Sequence, residues 1–69
     1  MQREAVESST LSSVGYSQKT ATLELEFHGG NVYQYFTVPV AIYAALMKAD
    51  SKGAFFHRAI KAAYPCSRL

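Results

Sequence analysis

The chain has 69 residues, 49% of them apolar and 17% charged, which is typical of one globular domain and too short for two. Its single cysteine, Cys66, excludes an intramolecular disulfide and a cysteine-based zinc cage. No apolar run approaches the roughly 18 residues of a membrane span, and the N-terminus lacks the apolar core of a secretory signal. We therefore expect a cytoplasmic protein without membrane contact.

The charges divide unevenly along the chain. Residues 1–36 carry two basic and four acidic side chains, net −2, and residues 37–69 carry five basic and one acidic, net +4. A basic C-terminal half can attract an anionic partner, although a small surplus of lysine and arginine is more often a solvated face.

Strand signals fill the first half of the chain. Residues 1–7 are polar without a period and predict a flexible tail, so a single domain is expected over residues 8–69. A short apolar run predicts a first strand over residues 11–16, and residues 20–28 alternate as a second strand. In this second strand Leu23, Leu25 and Phe27 lie on one face, opposite Thr22, Glu24, Glu26 and His28.

The glycines at 29 and 30 and Asn31 tolerate positive φ and predict a hairpin into a third strand. A two-residue turn sets Tyr33 and Tyr35 opposite Glu26 and Glu24, on the solvent side. A three-residue loop pairs Leu25 with Tyr35 and makes both tyrosines core. We favour the second register, because large rings are costly to expose on a small domain.

Two helices are predicted after the strands. Pro39 suits a first helical turn, with Thr37 as its cap, and this helix ends near Asp50. A second helix begins near Gly53, carries an apolar face with Phe56 and Ile60, and ends at Pro65. The residues after Pro65 are expected to form a short tail. The predicted fold is α+β: a three-stranded antiparallel meander followed by two α-helices packed on one face.

Several motifs occur in a familiar order: SSVGY, LELEF, a glycine turn, YQY, VP, ADSKG and FFHRAIKAAYP. This order resembles the KTSC domain, a module found in small bacterial and phage proteins and at the C-terminus of some lysyl-tRNA synthetases. The resemblance covers residues 8–69 and is carried by Gly15-Tyr16, Tyr33-x-Tyr35, Val38-Pro39, Ser51-x-Gly53 and Ile60 to Tyr64. His57, usually asparagine, and Cys66, commonly aromatic, depart from the pattern. The resemblance implies no established activity, and RNA binding is implied only by attachment to a synthetase.

Two surfaces are candidates for anion or nucleic-acid binding. Ser51 and the free amides around Gly53 could accept a phosphate at the start of the second helix, although simple capping by Ser51 or Asp50 is the more frequent arrangement. A basic stripe with an aromatic pair could bind nucleic acid by charge and stacking. Its members are Lys52, Arg58, Lys61, Arg68, Tyr33 and Tyr35.

Catalysis is not expected. A nucleophile needs a base held within hydrogen-bond reach, and nothing in the sequence orients His57 or His28 toward Cys66. The same three residues are too few and too scattered for a metal site, so neither metal nor cofactor is expected. We expect a non-catalytic binding module for RNA or another nucleic acid. The alternative is a protein-interaction module or homodimer using a sheet edge or apolar surface.

Overall fold

A five-stranded antiparallel sheet, with its strands in the order of the chain, forms one layer of the fold. The computed structural model describes residues 1–69. The strands are β1 (Glu4–Ala5), β2 (Leu11–Ser17), β3 (Thr22–Phe27), β4 (Val32–Tyr35) and β5 (Cys66–Arg68), and the helices are α1 (Val40–Lys48) and α2 (Lys52–Phe55). The predicted α+β class, with an antiparallel sheet and two helices, is confirmed.

The meander has five strands rather than the three that the sequence predicts. The two additional strands, β1 and β5, are the sheet edges and contain two and three residues. Such short segments show no alternation that a sequence pattern could reveal. The strand β5 pairs with β4, so the residues after Pro65, expected to be a free tail, complete the sheet.

The hairpin between β3 and β4 places both tyrosines on the core side. Its loop is His28–Gly30, with Gly29 and Gly30 at φ of 103° and 96°, and the amide of Phe27 donates to the carbonyl of Asn31 at 2.9 Å. Leu25 therefore pairs with Tyr33, and Leu23 with Tyr35. The favoured register was wrong by two residues, and because side chains alternate with period 2, this shift leaves the faces unchanged.

One apolar cluster lies between the sheet and the helices. Its buried members are Leu11, Val14, Leu23, Leu25, Tyr35, Val38, Leu46, Phe56 and Ile60. Tyr16 stacks on Tyr43 of α1 at 4.7 Å between ring centroids, and its hydroxyl donates to the carbonyl of Val38 at 2.6 Å. These contacts attach the first helix to β2.

The turn before α1 differs from the prediction. Pro39 is the N-cap residue, and no side chain caps this helix. Thr37 does not cap; it adopts φ of 59°, and its hydroxyl donates to the carbonyl of Phe36. A β-branched residue in the left-handed region is strained.

The helix after α1 begins as α and changes its pitch. From Phe56 to Ile60 the chain continues α2 as a π-helical segment, and we call the two together the second helix. The amide of Lys61 donates to the carbonyl of Phe56, five residues earlier, at 2.9 Å. Such π-helical turns are rare and occur frequently at functional sites. Neither helix is long and apolar enough to cross a membrane.

Candidate nucleic-acid interface

A groove of about 460 Å³ opens between the second helix and the β4–β5 side of the sheet. We call it the aromatic groove. It is lined by Thr10, Phe27, Asn31, Tyr33, Tyr35, Phe56, His57, Lys61 and Cys66. Its volume lies in the range of about 300–1,000 Å³ typical of ligand pockets.

The walls of the aromatic groove are rings that brace one another edge to face. Phe27 contacts Tyr33 at 5.8 Å and Phe56 at 5.2 Å between centroids, with interplanar angles of 88° and 70°. Tyr35 contacts Phe56 in the same manner at 5.7 Å. Tyr35 and Phe56 are buried, whereas Tyr33 and Phe27 are partly exposed. The rings are therefore held rigid by the core, and two of them are accessible to a ligand.

Two polar side chains at the end of the second helix, one of them a lysine, lie at the rim of the aromatic groove. His57 and Lys61 are four residues apart, both are exposed, and both line the groove. His57 lies within the π-helical segment, and Lys61 directly follows it. Residues at this spacing lie on the same side of a helix, so the ammonium group of Lys61 and the imidazole of His57 lie at the same edge of the groove.

A further cation, Arg68 of β5, lies beside the groove and contacts one of its lining residues. Arg68 pairs with Tyr33 across the sheet. Its Nη2 donates to the Oδ1 of Asn31, a groove residue, at 2.6 Å. The structure thus brings together Tyr33, Tyr35, Lys61 and Arg68, which the sequence had only placed on separate elements.

The carboxylates of the sheet face away from the aromatic groove. Glu24 and Glu26 alternate with Leu23 and Leu25 along β3 and lie on the opposite face, where both approach Arg3. These are the two ion pairs of the chain, so Lys61 and Arg68 have no acidic partner. If the tyrosines were exposed beside Glu24 and Glu26, these carboxylates would repel a nucleic acid. They lie on the other face of the sheet, so this repulsion is absent.

Tyr35 is the titratable group most altered by the groove. Burial raises the pKa of its phenol to about 12, and the neighbouring Cys66 thiol and Tyr33 add to this effect. Tyr35 and Cys66 are register partners on β4 and β5. The Tyr35 hydroxyl consequently stays protonated and able to donate a hydrogen bond at any physiological pH.

The remaining predicted cations lie elsewhere. Arg58 covers the ring of Phe55, with Cζ 5.5 Å from its centroid, and lines a separate depression with Asp50 and Ser51. The Nζ of Lys52 donates to the carbonyl of Ala49 at 3.3 Å. Neither residue lines the aromatic groove.

Ser51 and Gly53 have structural partners at the start of the second helix. The Oγ of Ser51 accepts from the amide of Ala54 at 3.2 Å, which is an N-cap. Gly53 is buried, and a Cβ there would clash with the Oγ1 of Thr10. Both residues thus have structural roles at the start of the second helix, and anion binding at this corner stays a prediction.

Cys66 and His57 share the aromatic groove, but no hydrogen bond joins them. His28 lies apart from them, with its Nε2 2.7 Å from the carbonyl oxygen of Ser8. No group of three or more His, Cys, Asp or Glu side chains could hold a metal ion.

Sequence reasoning did not place Phe27, Phe56, Asn31 or Thr10 in a site. Alternation along β3 puts Phe27 on the same face as the tyrosines, which was a usable signal. The contribution of Asn31 depends on β5, which the sequence does not reveal.

The fold is that of a small α+β domain with an aromatic groove on one side of its sheet. A family model, described as the KTSC domain, matches residues 7–64, and the chain belongs to this family. A KTSC domain protein from Yersinia pestis has a crystal structure that superimposes with a TM-score of 0.93 at 39% identity, over 99% of this chain and 96% of that one.

Relatives occur both as small proteins and as parts of large ones. A protein of Stutzerimonas stutzeri (strain A1501) described as uncharacterized is 43% identical over 61 residues, which are 88% of this chain and 86% of that protein. A lysine–tRNA ligase of Nostoc punctiforme is 41% identical over 63 residues, 91% of this chain but only 11% of the ligase. The ligase similarity therefore concerns one small domain.

Proposed function

We propose that this domain is a non-catalytic module that binds single-stranded RNA in the aromatic groove. The observation that carries the proposal is the combination of accessible rings with cations that have no carboxylate partner. The rings correspond to the bases of a polynucleotide, and the cations correspond to its phosphates.

The rings supply stacking surfaces for bases. Base stacking on an aromatic side chain contributes about 1–3 kcal/mol per base and tolerates any base. Tyr33 and Phe27 are the partly exposed rings, and the edge-to-face contacts of Phe27 with Tyr33 and with Phe56 fix this wall of the groove. Thr10, Asn31 and His57 add polar atoms at the same groove, which suit the hydrogen-bonding edges of an unpaired base.

The cations supply contacts for the phosphate backbone. Two cations are available: Lys61 lies on the helix side of the groove, and Arg68 lies on the strand side, beside Asn31. A strand whose base enters the groove has phosphates on both sides of that base, and these cations flank it in the same way. Lys52 and Arg58 lie outside the groove and would contact a longer strand.

The relatives add independent support. The lysine–tRNA ligase of Nostoc punctiforme acts, by its name, on an RNA, and it contains a segment 41% identical to this chain. A small module joined to an enzyme of this kind would serve it by holding the nucleic acid.

The test is fluorescence anisotropy with a labelled single-stranded RNA of about ten nucleotides, longer than the shortest site sizes of single-strand binders. We expect binding that weakens steeply between about 50 and 200 mM salt. Tyr33→Leu should weaken binding about 5- to 150-fold with the salt slope unchanged, since it removes stacking and no charge.

Lys61→Gln should weaken binding for every RNA sequence and reduce the salt slope by about 0.7, the contribution of one phosphate contact on a single strand. The matched control is Lys19→Gln, an exposed lysine in the turn between β2 and β3. An equal effect of Lys19→Gln, or the absence of binding even at low salt, would exclude this function.

A second candidate is association with a protein through the edge of the sheet. The strand β5 is an edge with all three residues exposed, and an open edge can pair with a strand of another chain. Such an interface is largely indifferent to salt, unlike RNA binding. Light scattering that shows a monomer at high concentration would exclude the homodimer form of this candidate.

A further inference from the structure

The outer face of the sheet holds a polar site that the proposed function does not use. Its centre is Glu24, whose side chain is only 4% exposed although it points away from the core. Its neighbours are Ser13 on β2, Glu26 on β3 and Gln34 on β4. A buried carboxylate needs hydrogen bonds or a cation, because its desolvation is otherwise costly.

The guanidinium of Arg3 occupies this site with each of its three nitrogens directed at a different partner. Nη1 is 2.5 Å from the Oε2 of Glu24, and Nε donates to the Oγ of Ser13 at 2.9 Å. Nη2 is 3.9 Å from the Oε1 of Glu26. The Oγ of Ser13 in turn donates to this Glu26 oxygen at 2.8 Å, which orients the serine to accept from Arg3. The arrangement matches the planar fork of a guanidinium, which the single ammonium of a lysine cannot reproduce.

Gly15 gives the guanidinium its access. It pairs directly with Glu24 across β2 and β3. A Cβ at this position would lie 2.8 Å from the carbonyl oxygen of Gln2 and 3.0 Å from the Cγ of Arg3. The absence of a side chain at Gly15 therefore leaves a notch beside Glu24. The extended segment that carries Gln2 and Arg3 crosses the sheet through this notch.

The backbone of the segment that fills the notch is attached to the sheet at few positions. The strand β1 pairs with β2 at only two positions, Glu4 with Val14 and Ala5 with Ser13. Both β1 residues are exposed, and short exposed segments open with low free energy. The family model matches from residue 7, so Ser13, Gly15 and Glu24 lie inside the matched domain and Arg3 lies outside it.

We propose that the notch is an arginine-binding site, filled in cis by Arg3, that accepts the arginine of an extended segment of another polypeptide when residues 1–5 are displaced. Glu24 and Glu26 carry two negative charges, and Arg3 neutralises one of them. Without Arg3, the buried Glu24 carboxylate keeps only the hydrogen bond from Gln34. The empty site therefore favours a cation with the donor geometry of arginine. This site lies on the face opposite the aromatic groove and does not depend on RNA binding.

The first test is chemical rescue of full-length Arg3→Ala, in which the backbone of residues 1–5 is retained. Ethylguanidinium at millimolar concentration should produce saturable amide shifts at Ser13, Gly15 and Glu24. Ethylammonium, the charge-matched control, should bind about tenfold more weakly or worse, since hydrogen bonds to charged groups contribute about 1.5–3 kcal/mol. The double variant Arg3→Ala/Glu24→Gln should lose the response. Equal rescue by ethylammonium, or no saturable response, would overturn the proposal.

The second test adds the segment in trans. A variant lacking residues 1–5 is titrated with the amidated peptide MQREAV, and we expect binding that the Arg3→Lys peptide reduces about tenfold. A folded variant that does not bind the peptide would overturn recognition of another polypeptide. Should this variant not fold, full-length Arg3→Ala is titrated with the amide of N-acetylarginine, and saturable shifts at the same amides are expected. Their absence would again overturn the proposal.

Discussion

Gly53→Ala is predicted to destabilise the domain although alanine is the better helix former. A Cβ at this position would clash with the Oγ1 of Thr10 and lie 2.9 Å from the Cβ of Thr10. Rotation of Thr10 can move its Oγ1 but not its Cβ, which is about 0.5 Å closer than the 3.4 Å of ordinary contact. The backbone of Thr10 is also held, since its carbonyl accepts from the amide of His28 at 3.2 Å.

The magnitude follows from two opposing terms. Overpacking of a closely packed contact costs about 1–3 kcal/mol, and exchange of glycine for alanine in a helix gains about 1 kcal/mol. The difference between these terms is about 0–2 kcal/mol. We expect a net loss in the upper half of this range, about 1–2 kcal/mol in the free energy of unfolding, because the Cβ contact cannot relax by side-chain rotation. For a domain of this size each kcal/mol lowers Tm by about 4–8 °C.

Thermal and urea unfolding followed by circular dichroism measures this loss, and Thr10→Gly is the matched background. With the threonine side chain removed, Gly53→Ala should become stabilising by about 0.5–1 kcal/mol, since only the helix preference remains. A Gly53→Ala variant as stable as the wild type, or an unchanged loss in the Thr10→Gly background, would refute close packing as the reason for this glycine.

Three further predictions concern strain and titration. Thr37→Gly should raise the free energy of unfolding by about 0.5–1 kcal/mol, because glycine adopts positive φ without strain; a loss in urea unfolding would contradict this. Burial alone would raise the pKa of Glu24, but the hydrogen bonds from Gln34 and Arg3 and the charge of Arg3 outweigh it and lower this pKa below 4.5. The stability that this lowered pKa contributes is present above pH 4.5 and is lost as pH falls through the lowered pKa. Between pH 7 and pH 3 the Tm of Glu24→Gln should therefore change less than the Tm of the wild type. Equal changes in the two proteins would contradict this role of Glu24. Tyr35, with its pKa raised to about 12, stabilises the fold below pH 10, and this stability is lost as pH rises through about 12. A spectrophotometric titration should show one late phenol that disappears in Tyr35→Phe, and its persistence in that variant would disprove the assignment.

The local pattern predicted the faces of the sheet better than its extent. Alternation of Leu23, Glu24, Leu25 and Glu26 separated the core side from the polar side correctly, because the period of 2 follows from strand geometry itself. The register was wrong by two residues, because three consecutive residues tolerant of turns, Gly29 to Asn31, allow the loop to begin at different positions. Because the predicted and observed registers differ by two residues, both place Tyr33 and Tyr35 on the core side.

The candidate site was only partly predictable, because it depends on long-range pairing. The short edge strands β1 and β5 have no periodic signal, yet β5 brings Arg68 beside Asn31 and Cys66 beside Tyr35. The π-helical segment also has no sequence signature, and it contains Phe56 and His57, which line the groove. The sequence contains the residue types of the site. Only the folded structure shows that Lys61 and Arg68, rather than Lys52 and Arg58, lie at or beside the groove.

The most direct test of RNA binding in the aromatic groove is a heteronuclear NMR titration of the whole chain with single-stranded RNA. We expect saturable shifts at Tyr33, His57 and Lys61 at low salt, strongly reduced at high salt, and none at Ser13 or Glu24 on the outer face. Shifts confined to the outer face, or a spectrum unchanged by RNA at low salt, would contradict the account.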